Sequence, residues 1–269
     1  MIPHLGFSKG KAQNDERARD FYRPALRQIE KDWGQFRGPN RNGHIPTQTV
    51  SIDWTKPPKT RWSTPCGLGH SSIITSGKLA ITMEQEQDQE ILIARSFDDG
   101  QEAWRVAEKT KWHDMLSGTG PRSTPTLHNG KLYTLFSHGK LSRVDANSGN
   151  VEWSIQVTPE SYEFPEWGLA ISPLIWNDMI ILSLGGEVSA VKAYSIKSGK
   201  KVWQSEVAGK AVYLSPEVLR LLDEDHLIVS LVGKIVSLDP KNGKTLWEKP
   251  WKIFMNNAQI VQPIAVSND

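Results

Sequence analysis

Seven histidines are spread along the 269-residue chain: His4, His44, His70, His113, His128, His138 and His226. No two sit four residues apart on a helical face, and the single cysteine, Cys66, has no second thiol. A transition-metal centre and an internal disulfide framework are therefore not expected. His113 and Asp114 are adjacent and could pair an acid with a base. Neighbours on a strand face opposite sides, however, so they read as a solvated loop pair. The chain has no Gly-x-Ser-x-Gly nucleophile elbow, no phosphate-cradling glycine loop and no acidic calcium loop. Gly118-Thr119-Gly120 and Gly185-Gly186 read as turn glycines. The acidic run from Glu84 to Glu90 reads as a solvated hairpin tip. These residues assign no catalytic group and no metal ligand.

Lys and Arg number 32 against 30 Asp and Glu, for a net charge of +2. That balance offers no concentrated basic field, which argues against nucleic acid or an anionic membrane as the main partner. No apolar stretch approaches the roughly 18 residues a membrane span requires. Eleven tryptophans are unusually many, and they direct attention to internal repeats.

Four segments align on a glycine followed four residues later by tryptophan: ARSFDDGQEAW (Ala94 to Trp104), RVDANSGNVEW (Arg143 to Trp153), AYSIKSGKKVW (Ala193 to Trp203) and SLDPKNGKTLW (Ser237 to Trp247). Successive tryptophans are 49, 50 and 44 residues apart. Upstream of each lies a serine- or proline-marked start, a short apolar run, a polar turn and a second apolar run. Short β-forming runs between such turns are strands. Asn129-Gly130 and Asn242-Gly243 supply the positive φ that tight turns need. Four short strands per repeat, with no helical period between them, predict an all-β fold of four-stranded antiparallel blades arranged as a β-propeller. An isolated blade cannot bury both faces, so each repeated indole is expected to lie across a neighbouring blade.

The segments resemble the tryptophan-docking motif of the propellers related to pyrroloquinoline-quinone (PQQ) enzymes. Gly100, Trp104, Gly149, Trp153, Gly199, Trp203, Gly243 and Trp247 fill its core positions. The lead-in DWGQFRGPNRNG (Asp32 to Gly43) and the segments Gly67 to Ser72, Gly120 to Pro125 and Trp167 to Pro173 are similar to a bacterial PQQ-binding-like repeat subgroup. Residues 32–269 are covered, with blades expected near 63–104, 121–153, 170–203 and 213–247 and a partial unit at 258–269. Because rings of this family usually have seven or eight blades, the chain is expected to form an incomplete ring, cut from a larger one. Residues 1–31 read as a polar leader with a short amphipathic helix around Phe21, Ala25 and Ile29.

In a propeller the segments before each inner strand can line an axial funnel. His70, Ser71, Arg122, Ser123, Trp167, Ser172, Tyr213 and Ser215 are the candidate ligand-binding residues there. Alternatively, the Ser and Pro residues shape the start of each inner strand, with Arg122 and Trp167 packing between blades. Two functions follow from the resemblance. One is a non-catalytic binding or scaffold propeller without a cofactor, serving a protein or small-ligand partner; one member of the fold is a lipoprotein scaffold in outer-membrane β-barrel assembly. The other is a quinoprotein oxidoreductase using PQQ and calcium, with Trp112, Trp167 or Trp176 under the cofactor. The alcohol dehydrogenases of the family add an adjacent cysteine pair, which lone Cys66 cannot supply. The subgroup is generally extracytoplasmic, although no signal peptide is readable in this chain.

Overall fold

The computed structural model describes residues 32–44, 53, 55–57, 59–251 and 260–263. The expected leader helix and most of the partial unit at 258–269 lie outside these residues. Among the described residues no helix forms, and the strands make four four-stranded antiparallel sheets, each a meander in sequence order. Blade I contains β1 (Ile74–Ser76), β2 (Leu79–Glu86), β3 (Gln89–Ser96) and β4 (Glu102–Glu108). A two-stranded ribbon follows, β5 (His113–Asp114) and β6 (Gly118–Thr119). Blade II contains β7 (Thr126–His128), β8 (Lys131–Leu135), β9 (Lys140–Asp145) and β10 (Val151–Gln156). Blade III contains β11 (Leu174–Trp176), β12 (Met179–Ser183), β13 (Val191–Ser195) and β14 (Lys201–Gln204). Blade IV contains β15 (Glu217–Leu221), β16 (Glu224–Leu231), β17 (Lys234–Leu238) and β18 (Thr245–Pro250).

The four repeat tryptophans occupy equivalent places on the outermost strands. Trp104 lies opposite Ala94, Trp153 opposite Arg143, Trp203 opposite Ala193 and Trp247 opposite Ser237, with a register shift beside each. A bulge at this point turns the indole out of its own sheet. Each ring then covers the glycine of the next repeat: a Cβ on Gly149 would stand 2.8 Å from Trp104, on Gly199 3.2 Å from Trp153, and on Gly243 2.5 Å from Trp203. Gly243, at φ +74°, is needed twice, for its backbone conformation and for the room it leaves. Trp104 and Trp203 are 8% and 9% exposed, whereas Trp153 and Trp247 are half-buried.

A fifth indole plays the same part without the motif. A Cβ on Gly100 would stand 2.6 Å from Trp62, whose Nε1 donates to the Phe97 carbonyl at 2.8 Å. Trp104 donates likewise to Ala146, one repeat later, at 3.1 Å. Trp62 was legible in principle: Lys59-Thr60-Arg61-Trp62 matches Lys244-Thr245-Leu246-Trp247, but lacks the preceding glycine.

Apolar residues fill the seams between blades. Ile74, Ile81, Leu92, Trp104, Leu132 and Val144 pack between blades I and II; Tyr133, Leu141, Ile180 and Tyr194 between II and III; Leu174, Ile181, Trp203, Leu227 and Val236 between III and IV. Near the axis, hydroxyls stitch the same seams. The Ser72 amide donates to Thr124 Oγ1 at 3.0 Å, the Thr124 amide to Ser172 Oγ at 3.0 Å, and the Ser172 amide to Ser215 Oγ at 2.9 Å. The working hydroxyl is the one directly before proline, so in blade II it belongs to Thr124, while buried Ser123 has a hydroxyl without a partner. Ser172→Ala is therefore expected to cost about 1–3 kcal/mol by stranding the buried Thr124 amide, and Ser123→Ala close to nothing. Urea denaturation of the two variants checks the contrast.

The ring is not closed. The hydroxyl bonds run from blade I to II to III to IV, and no hydrogen bond joins blade IV to blade I among the described residues.

Candidate functional site

In a meander, the loop between second and third strands and the loop leaving the outermost strand emerge at the same end of the blade. This end carries the groups with chemical potential. The loop after β4 holds Asp114 in a dense net. Its carboxylate accepts from the amides of Leu116 (3.0 Å) and Ser117 (2.6 Å), from Trp112 Nε1 (3.2 Å), from the Ser117 hydroxyl, and from Arg122 Nη2 (2.7 Å). Burial alone would raise its pKa; the Ser117 bonds, the Trp112 indole and the Arg122 charge outweigh that and draw it down to about 2. Arg122 also donates to Ser117 Oγ and to the carbonyls of Gly118 and Gly120. Its guanidinium is turned back onto its own loop. The expectation of a solvated pair thus holds for exposed His113 and fails for Asp114. Asp114→Ala is expected to ease local opening of the ribbon by about 2 kcal/mol, the scale of hydrogen bonds to a charged group. Hydrogen exchange at the Leu116 and Ser117 amides measures it.

An aromatic cluster adjoins this net. Trp112 lies 6.0 Å from the His138 ring and 5.8 Å from Phe164, which touches Tyr162 edge-on at 4.8 Å. Tyr162 donates its hydroxyl to the Leu184 carbonyl. A Cβ on Gly168 would stand 2.7 Å from Trp112, which brings the next element close: Trp167 stacks on Tyr213 with centroids 4.8 Å apart, and its amide donates to the Tyr213 hydroxyl at 3.2 Å. Beside them opens a cavity of about 660 Å³, lined among others by Tyr162, Phe164, Glu187, Lys192, Lys210 and Tyr213.

The eight candidate residues separate into two groups. Arg122, Trp167 and Tyr213 stand in this loop-end cluster, and exposed His70 reaches its rim, with Nε2 3.9 Å from where a Cβ on Gly118 would be. Ser172 and Ser215 serve the blade-to-blade hydroxyl bonds. Ser71 donates to the carbonyl of Ser72, and Ser123 is buried near them. Of the three tryptophans considered for a cofactor floor, Trp112 and Trp167 are neighbours, while Trp176 packs on the core of blades III and IV.

The acidic run departs from its reading as a solvated tip. Glu84 is buried and accepts from the Gly67 amide at 3.0 Å. Glu90 is buried and accepts from the Ser137 amide at 2.9 Å and from its hydroxyl, joining blade I to blade II. Burial pushes the Glu90 carboxyl up, against the Ser137 bonds. Charge composition alone gave no sign that the run's two ends point inward. The tip of the clamped ribbon displays apolar side chains to solvent: Met115 is 96% exposed and Leu116 77%.

Among the described residues no group of three His, Cys, Asp or Glu side chains could hold a metal ion, and Cys66 is exposed and unpaired. Arg122 is committed to its own loop.

A family model described as Outer membrane protein assembly factor BamB matches residues 87–260. The BamB assembly factor of Escherichia coli (strain K12) is 25% identical over 257 residues, covering 76% of this chain and 63% of that protein. The chain thus spans less than two thirds of that relative's length. The quinohemoprotein alcohol dehydrogenase ADH IIB of Pseudomonas putida is 25% identical over 152 residues, covering 51% of this chain and 21% of the enzyme. Among solved structures, BamB from Moraxella catarrhalis matches with a TM-score of 0.54 at 14% identity, over 70% of this chain and 54% of that one. That last likeness is one of fold.

Proposed function

Because the chain belongs to the family described as outer membrane protein assembly factor BamB, we propose that it is a non-catalytic, extracytoplasmic scaffold whose loop end docks a protein partner. One observation carries the reading. At the ribbon after β4 the charged pair Asp114 and Arg122 is spent within its own loop, and the tip it supports places Met115 and Leu116 in water. Apolar side chains fixed on a rigid support are the usual core of a protein interface.

A photo-crosslinking amino acid placed at Leu116 in the producing cell tests this directly. Adducts with a defined protein are expected from Leu116 and not from Lys197, which sits in an exposed turn at the other end of blade III. Adducts from both positions, or from neither, would count against the loop end as the docking surface. Calorimetry supplies the enzymatic control: the purified chain is expected not to bind PQQ tightly in the presence of calcium. Micromolar, calcium-dependent binding that Trp167→Ala abolishes would overturn the scaffold reading.

A further inference from the structure

The innermost strands of a propeller present unpaired backbone edges toward the axis. Here the chain covers those edges with its own segment. Trp33 and Thr75 are joined by two bonds: the Trp33 amide donates to Thr75 Oγ1 at 2.6 Å, and the Thr75 amide to the Trp33 carbonyl at 3.0 Å. The Leu127 amide of blade II donates to Gly34 at 2.6 Å. Arg41 reaches blade III, where its guanidinium donates to the carbonyls of Pro173 (3.2 Å) and Ser172 (3.3 Å). Arg41 is buried, and the nearby charge of Glu217 on the inner strand of blade IV opposes the fall in its pKa that burial causes.

The segment also holds itself together. The Gly38 amide donates to Gln35, Arg41 to Gly38 and Gly43 to Arg37. Gln35 Nε2 donates to Pro39, its Oε1 accepts from Arg41, and Arg37 donates to Asn42. The Trp33 ring lies over Gly38, where a Cβ would be 2.6 Å away. Such a self-bonded knot can leave the wall as a unit, because its internal bonds survive undocking. Its attachment consists of an extended dipeptide, a bond from the Gly77 amide to Asp32 Oδ1 at 2.9 Å, and one arginine fork.

We propose that the inner edges of blades I to III form a docking groove for an extended peptide followed by an arginine, and that Trp33–Arg41 is its resident occupant in cis. The extended part is recognised by strand addition to Thr75 and Leu127, and the arginine by the carbonyls at Ser172 and Pro173 beside Glu217. An axial ligand on this side must displace the segment, and a partner bearing the same pattern competes with it.

Hydrogen exchange on the full chain tests the proposal. In Arg41→Ala, the Thr75 and Leu127 amides are expected to exchange at least tenfold faster, while Leu132 and Ile181 in the blade cores keep their protection. Adding a synthetic peptide of residues 32–43 should restore protection at Thr75 and Leu127, and a scrambled peptide should not. Should Arg41→Ala fail to fold, Gln35→Ala, which removes one acceptor of the Arg41 guanidinium and the bond to the Pro39 carbonyl, is expected to give a smaller rise at the same two amides. Unchanged exchange at Thr75 and Leu127 would overturn the proposal. So would loss of protection throughout the blades in Gln35→Ala, or a rise that the peptide cannot reverse.

Discussion

Trp203→Ala is expected to destabilise the protein by about 3–5 kcal/mol, the range for emptying the site of a buried tryptophan. Trp203 is 9% exposed and belongs to the apolar seam between blades III and IV with Leu174, Ile181, Leu227 and Val236. Beyond the seam its ring rests on Gly243, whose neighbourhood cannot collapse to refill the space, because the turn at Gly243 is fixed by its positive φ. Trp203 Nε1 has no hydrogen-bond partner, so the loss is one of packing alone. Trp104→Ala should cost at least as much, since it also strands the Ala146 carbonyl. Half-buried Trp153 should cost less. Chemical denaturation gives the ranking, and a loss below about 1 kcal/mol at Trp203 would mean that the indoles decorate the seams and do not hold them.

Glu217 is expected to make the protein less stable as pH rises from 4.5 to 7, by about 3 kcal/mol if the whole shift is realised. Burial on the inner strand of blade IV lifts its carboxyl to about 7, opposed by a bond from Gln262 and by the charges of Arg41 and Arg37. A carboxyl whose pKa is raised by folding binds more protons folded than unfolded throughout that window. Its favourable contribution is therefore complete below the unfolded value and is lost as pH climbs through the folded one. Glu217→Gln removes the titration and leaves the Gln262 contact able to form. Unfolding free energies of the two proteins, measured from pH 4 to 8, should diverge in favour of the glutamine variant as pH rises. Parallel curves would show that Arg41 has cancelled the desolvation of the carboxylate.

Blade architecture was readable because it rests on local chemistry repeated in register. A glycine that turns the chain and a tryptophan four residues on are both required by the same seam, so their spacing survives in the sequence. Trp62 was missed because its turn glycine is replaced by Pro58, although its packing on Gly100 matches the others. The loop-end cluster was only half legible. Arg122, Trp167 and Tyr213 were singled out by their place before inner strands. Asp114, His138, Tyr162 and Phe164 come from three different loops whose meeting depends on the blade-to-blade rotation, which no spacing records. Glu84 and Glu90 misled for a related reason: charge runs read as solvated unless distant segments supply donors, here Gly67 in the lead-in to blade I and Ser137 in blade II. The axial segment looked like a lead-in because its partners, from Thr75 through Leu127 to Ser172 and Pro173, are 42 to 132 residues away.

The hydroxyl bonds beside the axis all run in one sense. Each backbone amide gives to the serine or threonine of the following blade, from Ser72 to Thr124 to Ser172 to Ser215. A blade is thus a unit with a head and a tail, and the requirement at each junction is the same: an amide on one side, a hydroxyl before proline on the other. Any gene duplication that copies one whole unit carries both halves of the junction with it, so lengthening the array needs no compensating substitution. The amide-to-hydroxyl bond itself forms only between unlike ends, since two tails would bring amide donor to amide donor and two heads would leave the amides unused. Association through this junction must be head to tail, and the fold is therefore free to vary in blade number while its order along the chain stays fixed.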